Sequence, residues 1–99
     1  MQLADFEMME TTMPKGVQAV LDFGKYQLSI VQNELSYGSA QGLYEIAAFA
    51  ACDGVANDMI ELPGITAKGD TVKGFLTESD VNTIIKKLHT ITNRIPRQI

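Results

Sequence analysis

The clearest hydrophobic pattern of the chain lies near its C-terminal end. Apolar residues recur there at helical spacing, in a stripe made of Val81, Ile84, Ile85, Leu88, Ile91 and Ile95. Thr77 is a typical N-cap, and Thr77 with Asp80 has the spacing of a capping box in which Asp replaces Glu. We therefore predict an amphipathic helix that begins after Thr77, ends before Pro96 and packs its stripe on a core.

Alternation of apolar and polar residues predicts strands in the middle of the chain. Residues 25–32 have the pattern of a half-buried strand, and residues 43–50 are apolar on both faces, as expected for a central strand. Residues 59–62 and 71–76 are shorter candidates, and residues 17–23 fit either a helical turn or a leading strand. The sequence thus predicts an α+β fold: a small antiparallel β-sheet of three to four strands with a C-terminal α-helix packed on one face.

The chain of 99 residues is long enough for one domain. Residues 1–16 hold acids and methionines without a period, and Pro14 and Gly16 mark a turn at their end. We predict an N-terminal arm over residues 1–16 and a single α+β domain over residues 17–99. The pattern leaves open whether the arm frays or docks on the core through Leu3 and Phe6.

The net charge is −4, and it is unevenly distributed along the chain. Residues 1–63 contain nine acids and two bases, whereas residues 64–99 contain three acids and six bases. This balance argues against a nucleic-acid-binding protein, which would be basic overall. Basic side chains near the end of the predicted helix suit the negative end of its dipole.

Several absences in the sequence predict a cytoplasmic protein. The single cysteine cannot form an internal disulfide. The first residues carry acids where a secretion signal needs bases and an apolar run. No stretch approaches the roughly 18 consecutive apolar residues of a membrane span.

Catalytic and metal chemistry are not indicated. One histidine and one cysteine are too few for a structural zinc site. Cys52 and His89 could pair as nucleophile and base, but the sequence supplies no orienting group, so we interpret them as a small buried residue and a boundary residue. Gly64 and Gly69 have the spacing that opens a Walker motif, yet Asp70 follows where lysine is required. We predict no enzymatic activity, no metal and no cofactor.

A loop rich in glycine and serine separates the two clearest strands, at residues 34–42. Tyr37 in this loop has no core neighbour suggested by periodicity, so it either contacts a partner or folds back to cap the sheet. Glu45 in the second strand either faces solvent or is buried with Lys25 or Lys73. The candidate binding residues are Glu34, Ser36, Tyr37, Ser39 and Gln41.

Four segments together resemble small uncharacterised accessory proteins of tailed bacteriophages: residues 28–31, 36–38, 42–47 and 70–81. They include a Ser-Tyr-Gly loop between two strands and a hydrophobic-Gly-x-Leu-Thr sequence before a last helix. The resemblance extends over residues 25–92 and carries no catalytic residue. It implies a protein that acts by binding host factors or other phage proteins.

The leading hypothesis is a non-enzymatic interaction protein, a phage accessory factor that binds and modulates a host protein in the host cytoplasm. One alternative is a minor virion or assembly component. A further alternative is a small-ligand binder or nucleotide sponge that acts as an oligomer. Unpaired strand edges in a small sheet also predict a homodimer formed through those edges.

Overall fold

The fold is a seven-stranded antiparallel sheet crossed on one face by a single α-helix, and the computed structural model describes residues 1–99. The α+β class is therefore confirmed. Two short 3-10 helices occupy Leu3–Asp5 and Ser39–Gln41. The strands are β1 (Met9–Thr12), β2 (Lys15–Asp22), β3 (Tyr26–Asn33), β4 (Tyr44–Cys52), β5 (Val55–Met59), β6 (Val72–Leu76) and β7 (Arg97–Gln98), and the helix is α1 (Glu78–Thr92).

The sheet is a meander in which β1 to β5 lie in chain order. Two strands share one side of β4: β6 pairs with the first half of β4, and β5 pairs with the second half of β4. Strand β7 pairs with the end of β2, next to the segment that pairs with β1. Each edge of the sheet is thus divided between two short strands.

Alternation along the strands gives the sheet an inner and an outer face. The register places β2, β3 and β4 residues in rows, so that Leu21 lies beside Leu28 and Leu28 beside Ala48. The inner face, which points toward α1, consists of Ala19, Leu21, Leu28, Ile30, Ile46 and Ala48. All six are buried, and five of them belong to the main core cluster.

Helix α1 begins as the sequence predicts and ends earlier. The backbone N–H of Thr77 donates to Asp80 Oδ2 at 2.9 Å, and the N–H of Asp80 donates to Thr77 Oγ1 at 3.1 Å, which completes the capping box. Val81, Ile84, Ile85 and Leu88 are buried against the inner face.

The C-terminal end of the predicted stripe differs from the structure. Asn93 adopts the left-handed conformation and ends the helix. Ile95 lies beyond the helix and is exposed, and Ile91, in the last turn of the helix, is exposed as well rather than packed. The helix has 15 residues, and no helix is long and apolar enough to cross a membrane.

The predicted sheet of three to four strands was too small, because the structure has seven. The strand expected at residues 59–62 lies earlier, over β5, and residues 17–23 belong to β2. The segment predicted as an N-terminal arm supplies strand β1 and the buried side chain of Leu3. Strands β1 and β7 carry no periodic signal, since both are short; β1 pairs with β2 in a tight hairpin, whereas β7 pairs with β2 across most of the chain.

Candidate functional site

Two aromatic side chains stand together on the surface of the sheet. The rings of Tyr37 and Phe75 are stacked, with centroids 6.2 Å apart and planes inclined by 24°. Tyr37 is 63% exposed and Phe75 is 59% exposed. Stacking in this offset range contributes about 0.5–1.5 kcal/mol beyond burial. We call Tyr37 and Phe75 the aromatic pair.

Hydrogen bonds within the loop between β3 and β4 fix the position of Tyr37. The N–H of Asn33 donates to Ser36 Oγ at 2.9 Å, and the Ser36 hydroxyl donates back to the Asn33 carbonyl at 3.0 Å. On the far side, the carbonyl of Gly38 accepts from the N–H groups of Gln41 and Leu43, both at 3.0 Å. Tyr37 is therefore carried by a turn that is bonded on both sides.

Strand β6 brings Phe75 to the same place. The pairing of β4 with β6 is irregular between Tyr44 and Ile46, and this irregularity displaces the middle of β6 from the regular ladder. The N–H of Phe75 then donates to the Tyr37 carbonyl at 3.2 Å rather than to β4. The loop and the edge strand are joined by this bond and by the ring stack.

Gly74 permits the close approach of the two segments. A Cβ atom at this position would lie 2.5 Å from the Cβ of Tyr37, closer than non-bonded carbon atoms can come. Gly38 has a similar role, since its Cβ would lie 2.9 Å from the Cβ of Leu43 and its φ is +92°. Both glycines that flank the aromatic pair are therefore required by its geometry.

Phe75 has a backbone conformation that bulky residues rarely adopt. Its φ is +56°, in the left-handed region. For an L-residue this conformation costs roughly 1–2 kcal/mol. The conformation leaves the ring exposed while the next residue, Leu76, is buried in the core. Strain of this kind is concentrated at sites of function.

The candidate binding residues of the sequence have separate positions in this loop. Tyr37 is exposed, whereas Ser36 is only 9% exposed and is occupied by its bonds to Asn33. Ser39 and Gln41 begin and end the short 3-10 helix, and Gln41 is exposed. Glu34 is exposed at the start of the loop, with Oε1 3.5 Å from the N–H of Lys15.

Two further residues belong to the site: Glu45, for which the sequence left a solvent-facing and a buried position open, and Phe75, which escaped the prediction. Glu45 lies on the outer face, half-buried, and its Oε2 accepts from the N–H of Tyr37 at 3.3 Å, so it helps to hold the loop. Phe75 was assigned to a strand without a separate role. The sequence did contain a signal for the exposure of Phe75. Side chains alternate along a strand, so Phe75 points outward if Leu76 points inward, and the neighbouring glycine marks a close backbone approach.

The cysteine and the histidine lie in different grooves. Cys52 is exposed at one end of the sheet, where its Sγ is 3.8 Å from Asp53 Oδ2. His89 lines a groove of about 570 Å³ between α1 and the first residues of the chain, and its Nδ1 lies 2.9 Å from the Arg94 carbonyl oxygen. The Cys–His pair considered from the sequence is therefore not formed. No group of three or more metal-ligating side chains converges.

The pKa of one carboxyl group at the start of α1 departs from its ordinary value. The hydrogen bonds from the Thr77 backbone and side chain, with a smaller contribution from the charge of Lys73, hold the pKa of Asp80 below its ordinary value of 3.8. Asp80 is thus a fixed negative charge above pH 4 and belongs to the helix cap.

Comparison with protein-family models, curated proteins and solved structures finds no match for this chain.

Proposed function

We propose that this chain is a non-enzymatic interaction protein that binds another protein through the aromatic pair of Tyr37 and Phe75. The observation that carries the proposal is the exposure of two stacked rings on a hydrogen-bonded support. Burying such rings in water-free contact is the main energetic contribution of aromatic residues at protein interfaces.

Rigidity favours recognition of a partner by this site. Tyr37 is held by its carbonyl bond from Phe75 and by its N–H bond to Glu45. Little side-chain or loop entropy remains to be lost when the pair is covered, so more of the contact energy is available for binding. A preformed pair of rings is also a flat, asymmetric surface that selects a partner by shape.

The backbone strain at Phe75 supports the same proposal. An exposed aromatic residue in the left-handed region contributes nothing to the core and costs stability. This cost in stability is explained if the exposed ring of Phe75 is needed to contact a partner. The resemblance to phage accessory proteins favours a host protein as the partner and modulation of that protein as the outcome.

The test is a comparison of variants in which only the exposed rings change. Wild-type protein, Tyr37→Ser and Ile91→Ala are immobilised, and proteins captured from a bacterial lysate are identified by mass spectrometry. Ile91 is the matched control, because it is an apolar residue in the last turn of α1, at the end of the helix remote from Phe75, with a similar exposure of 58%.

We expect one stoichiometric protein to be retained by the wild type and by Ile91→Ala and to be lost with Tyr37→Ser. With the purified partner, the Kd of Tyr37→Ser should rise by about 30-fold or more, as for an interface hot spot. A captured protein that binds Tyr37→Ser and the wild type equally would refute the role of the aromatic pair.

A further inference from the structure

Both arginines of the chain lie after α1 and reach the same end of the sheet. Arg97 pairs with Asp22 in the ladder between β7 and β2. Arg94 lies against the turn between β2 and β3, since a Cβ atom on Gly24 would be 3.1 Å from its Cζ. Arg97 also lies near the neighbouring turn, between β4 and β5, where a Cβ atom on Gly54 would be 3.8 Å from its Nη2. The two guanidinium groups therefore line one cleft.

This cleft between the two turns and the segment after α1 has a volume of about 360 Å³. Three of its lining residues are cationic, namely Lys25, Arg94 and Arg97, and two are acidic, namely Asp22 and Asp53. The residues that line it thus carry an excess of one positive charge, whereas the whole chain has a net charge of −4. Such a cleft favours an anion over a neutral or cationic ligand.

The donors of the arginines are largely free of protein partners. The hydrogen bonds of Arg94 involve only its backbone N–H and carbonyl groups. Asp22 Oδ1 accepts from the N–H of Gly24 at 3.0 Å, while its Oδ2 lies 3.7 Å from Arg97 Nη2, beyond the range of a hydrogen bond. A guanidinium group has five N–H donors, so both arginines can donate to a ligand in the cleft.

Hydrogen bonds tie together the segments that form the cleft. The N–H of Ala51 donates to the Lys25 carbonyl at 2.9 Å, which joins the first turn to β4. The buried side chain of Gln27 donates through Nε2 to the Gly54 carbonyl at 3.0 Å and holds the second turn. The walls are therefore in place before a ligand arrives, and ordering of the cationic side chains is the main entropic cost of binding.

We propose that this cleft binds a phosphate group, free or carried by a small molecule, with Arg94 as its principal ligand and Arg97 and Lys25 as further cationic ligands. The planar guanidinium fork matches the oxygens of phosphate, to which it donates two parallel hydrogen bonds. A phosphate group carries close to two negative charges near neutral pH, which suits more than one cation. The proposed site shares no residue with the aromatic pair, so the two proposals stand or fall separately.

The test is a titration of the isotope-labelled full chain with sodium pyrophosphate at constant ionic strength, followed by amide chemical shifts. We expect saturable shifts at the amides of the cleft, among them Gly24, Lys25 and Gly54, with a Kd of about 1 mM or lower. Inorganic phosphate and a phosphate monoester, titrated in parallel, show whether the cleft takes the free ion or the group on a larger molecule. Shifts that fail to saturate, or that centre on another part of the surface, would overturn the proposal.

Three variants separate a specific site from a general effect of charge. Arg94→Gln should weaken binding at least about 10-fold, because it removes a charge-assisted pair of hydrogen bonds. Lys68→Gln removes the same charge from the exposed loop between β5 and β6 and should bind as the wild type does. Asp53→Asn should tighten binding about threefold, since it removes a repelling charge from the cleft, and asparagine tolerates the φ of +51° at this position. Equal binding by the wild type and a folded Arg94→Gln would refute the site.

Cys52 offers a second readout from within the same cleft. It is the only cysteine of the chain and is exposed. At saturation, pyrophosphate should slow the reaction of Cys52 with the anionic disulfide dithiobis-nitrobenzoate more than its reaction with a neutral maleimide, because the bound anion offsets the charge of the arginines. Unchanged rates with both reagents would place the bound anion elsewhere and contradict the proposal.

Discussion

Phe75 and Thr77 are separated by a single residue, and their backbones are held in opposite ways. Thr77 has an extended conformation, caps α1 and receives the reciprocal bond of Asp80. Phe75 is in the left-handed region and exposes its ring. At Thr77 the residue type, the backbone conformation and the hydrogen bonds all favour a helix cap. At Phe75 the backbone is in a region that bulky residues avoid, and the apolar ring is exposed.

The comparison distinguishes residues that stabilise the fold from residues whose side chains are exposed on the surface. A natural sequence that violates a local rule usually gains something elsewhere. The cap of α1 is explained by stability alone, because it starts the helix that covers the inner face. The conformation of Phe75 does not serve packing of its ring, which is 59% exposed, so the effect of the strain can be tested at Phe75 and compared with that of the cap.

The largest expected effect is at Gly74, where the two segments meet. Gly74→Ala would place a methyl group 2.5 Å from the Cβ of Tyr37, and we expect a loss of about 1–3 kcal/mol of unfolding free energy, as for other overpacked sites. Urea unfolding measures this loss. Replacing Tyr37 with glycine removes the opposing atom, so Gly74→Ala should cost less in that background. Equal costs in both backgrounds would show that the close approach is unimportant.

A smaller effect on stability is expected at Phe75, where glycine and alanine should have the reverse of their usual order in a strand. In an ordinary strand, glycine is less stable than alanine by roughly 0.5–1 kcal/mol. Because φ is +56° here, we expect Phe75→Gly to be more stable than Phe75→Ala by about 1 kcal/mol. Both variants lose the ring, so the stacking energy cancels in the comparison. Thermal unfolding of the two proteins gives the difference, and a more stable alanine variant would remove the argument from strain.

The smallest effect on stability is expected at Asp80, which belongs to the unstrained helix cap at Thr77. Its pKa is lowered in the folded state by the bonds to Thr77, so its contribution is present above the ordinary value of 3.8 and is lost as pH falls through the folded value. Asp80→Asn should lower Tm by a few degrees at pH 7. The gap between the two melting curves should close toward pH 2, and a gap that persists there would show that the charge is not responsible.

The sequence predicted the parts of the fold whose signals are local. The cap at Thr77 and the alternation in β3 and β4 each depend on neighbouring residues, and each is found close to its predicted place. Strand β6 was also predicted within one residue.

Parts that depend on distant pairing were not predicted. Strand β7 is such a part, since its two residues pair with β2 across most of the chain, whereas β1 pairs with β2 in a tight hairpin and was missed because its residues show no alternation. The left-handed turn at Asn93 takes Ile95 out of the helix, which a helical stripe does not reveal, and Ile91 in the last turn is exposed as well.

Half of the candidate site could be seen in the sequence. Tyr37 was singled out because a tyrosine in a glycine-rich loop lacks a core neighbour. Phe75 was not, because its sequence separation from Tyr37 hides the contact, and only the irregular pairing of β6 brings the rings together. Ser36 lies in the same loop as Tyr37, but its hydroxyl is hydrogen-bonded within the turn rather than presented to a partner.

The shared edge of β1 and β7 has a consequence for the order of folding. The N–H of Glu7 donates to Gln98 Oε1 at 2.8 Å, across a separation of 91 residues. Closing so large a loop is entropically costly, whereas β2, β3 and β4 form by successive hairpins of short reach. The meander, including the hairpin in which Thr12 pairs with Lys15, should therefore form early in folding. Strand β7 and its contact with Glu7 should form last and be the first to separate when the native protein opens locally.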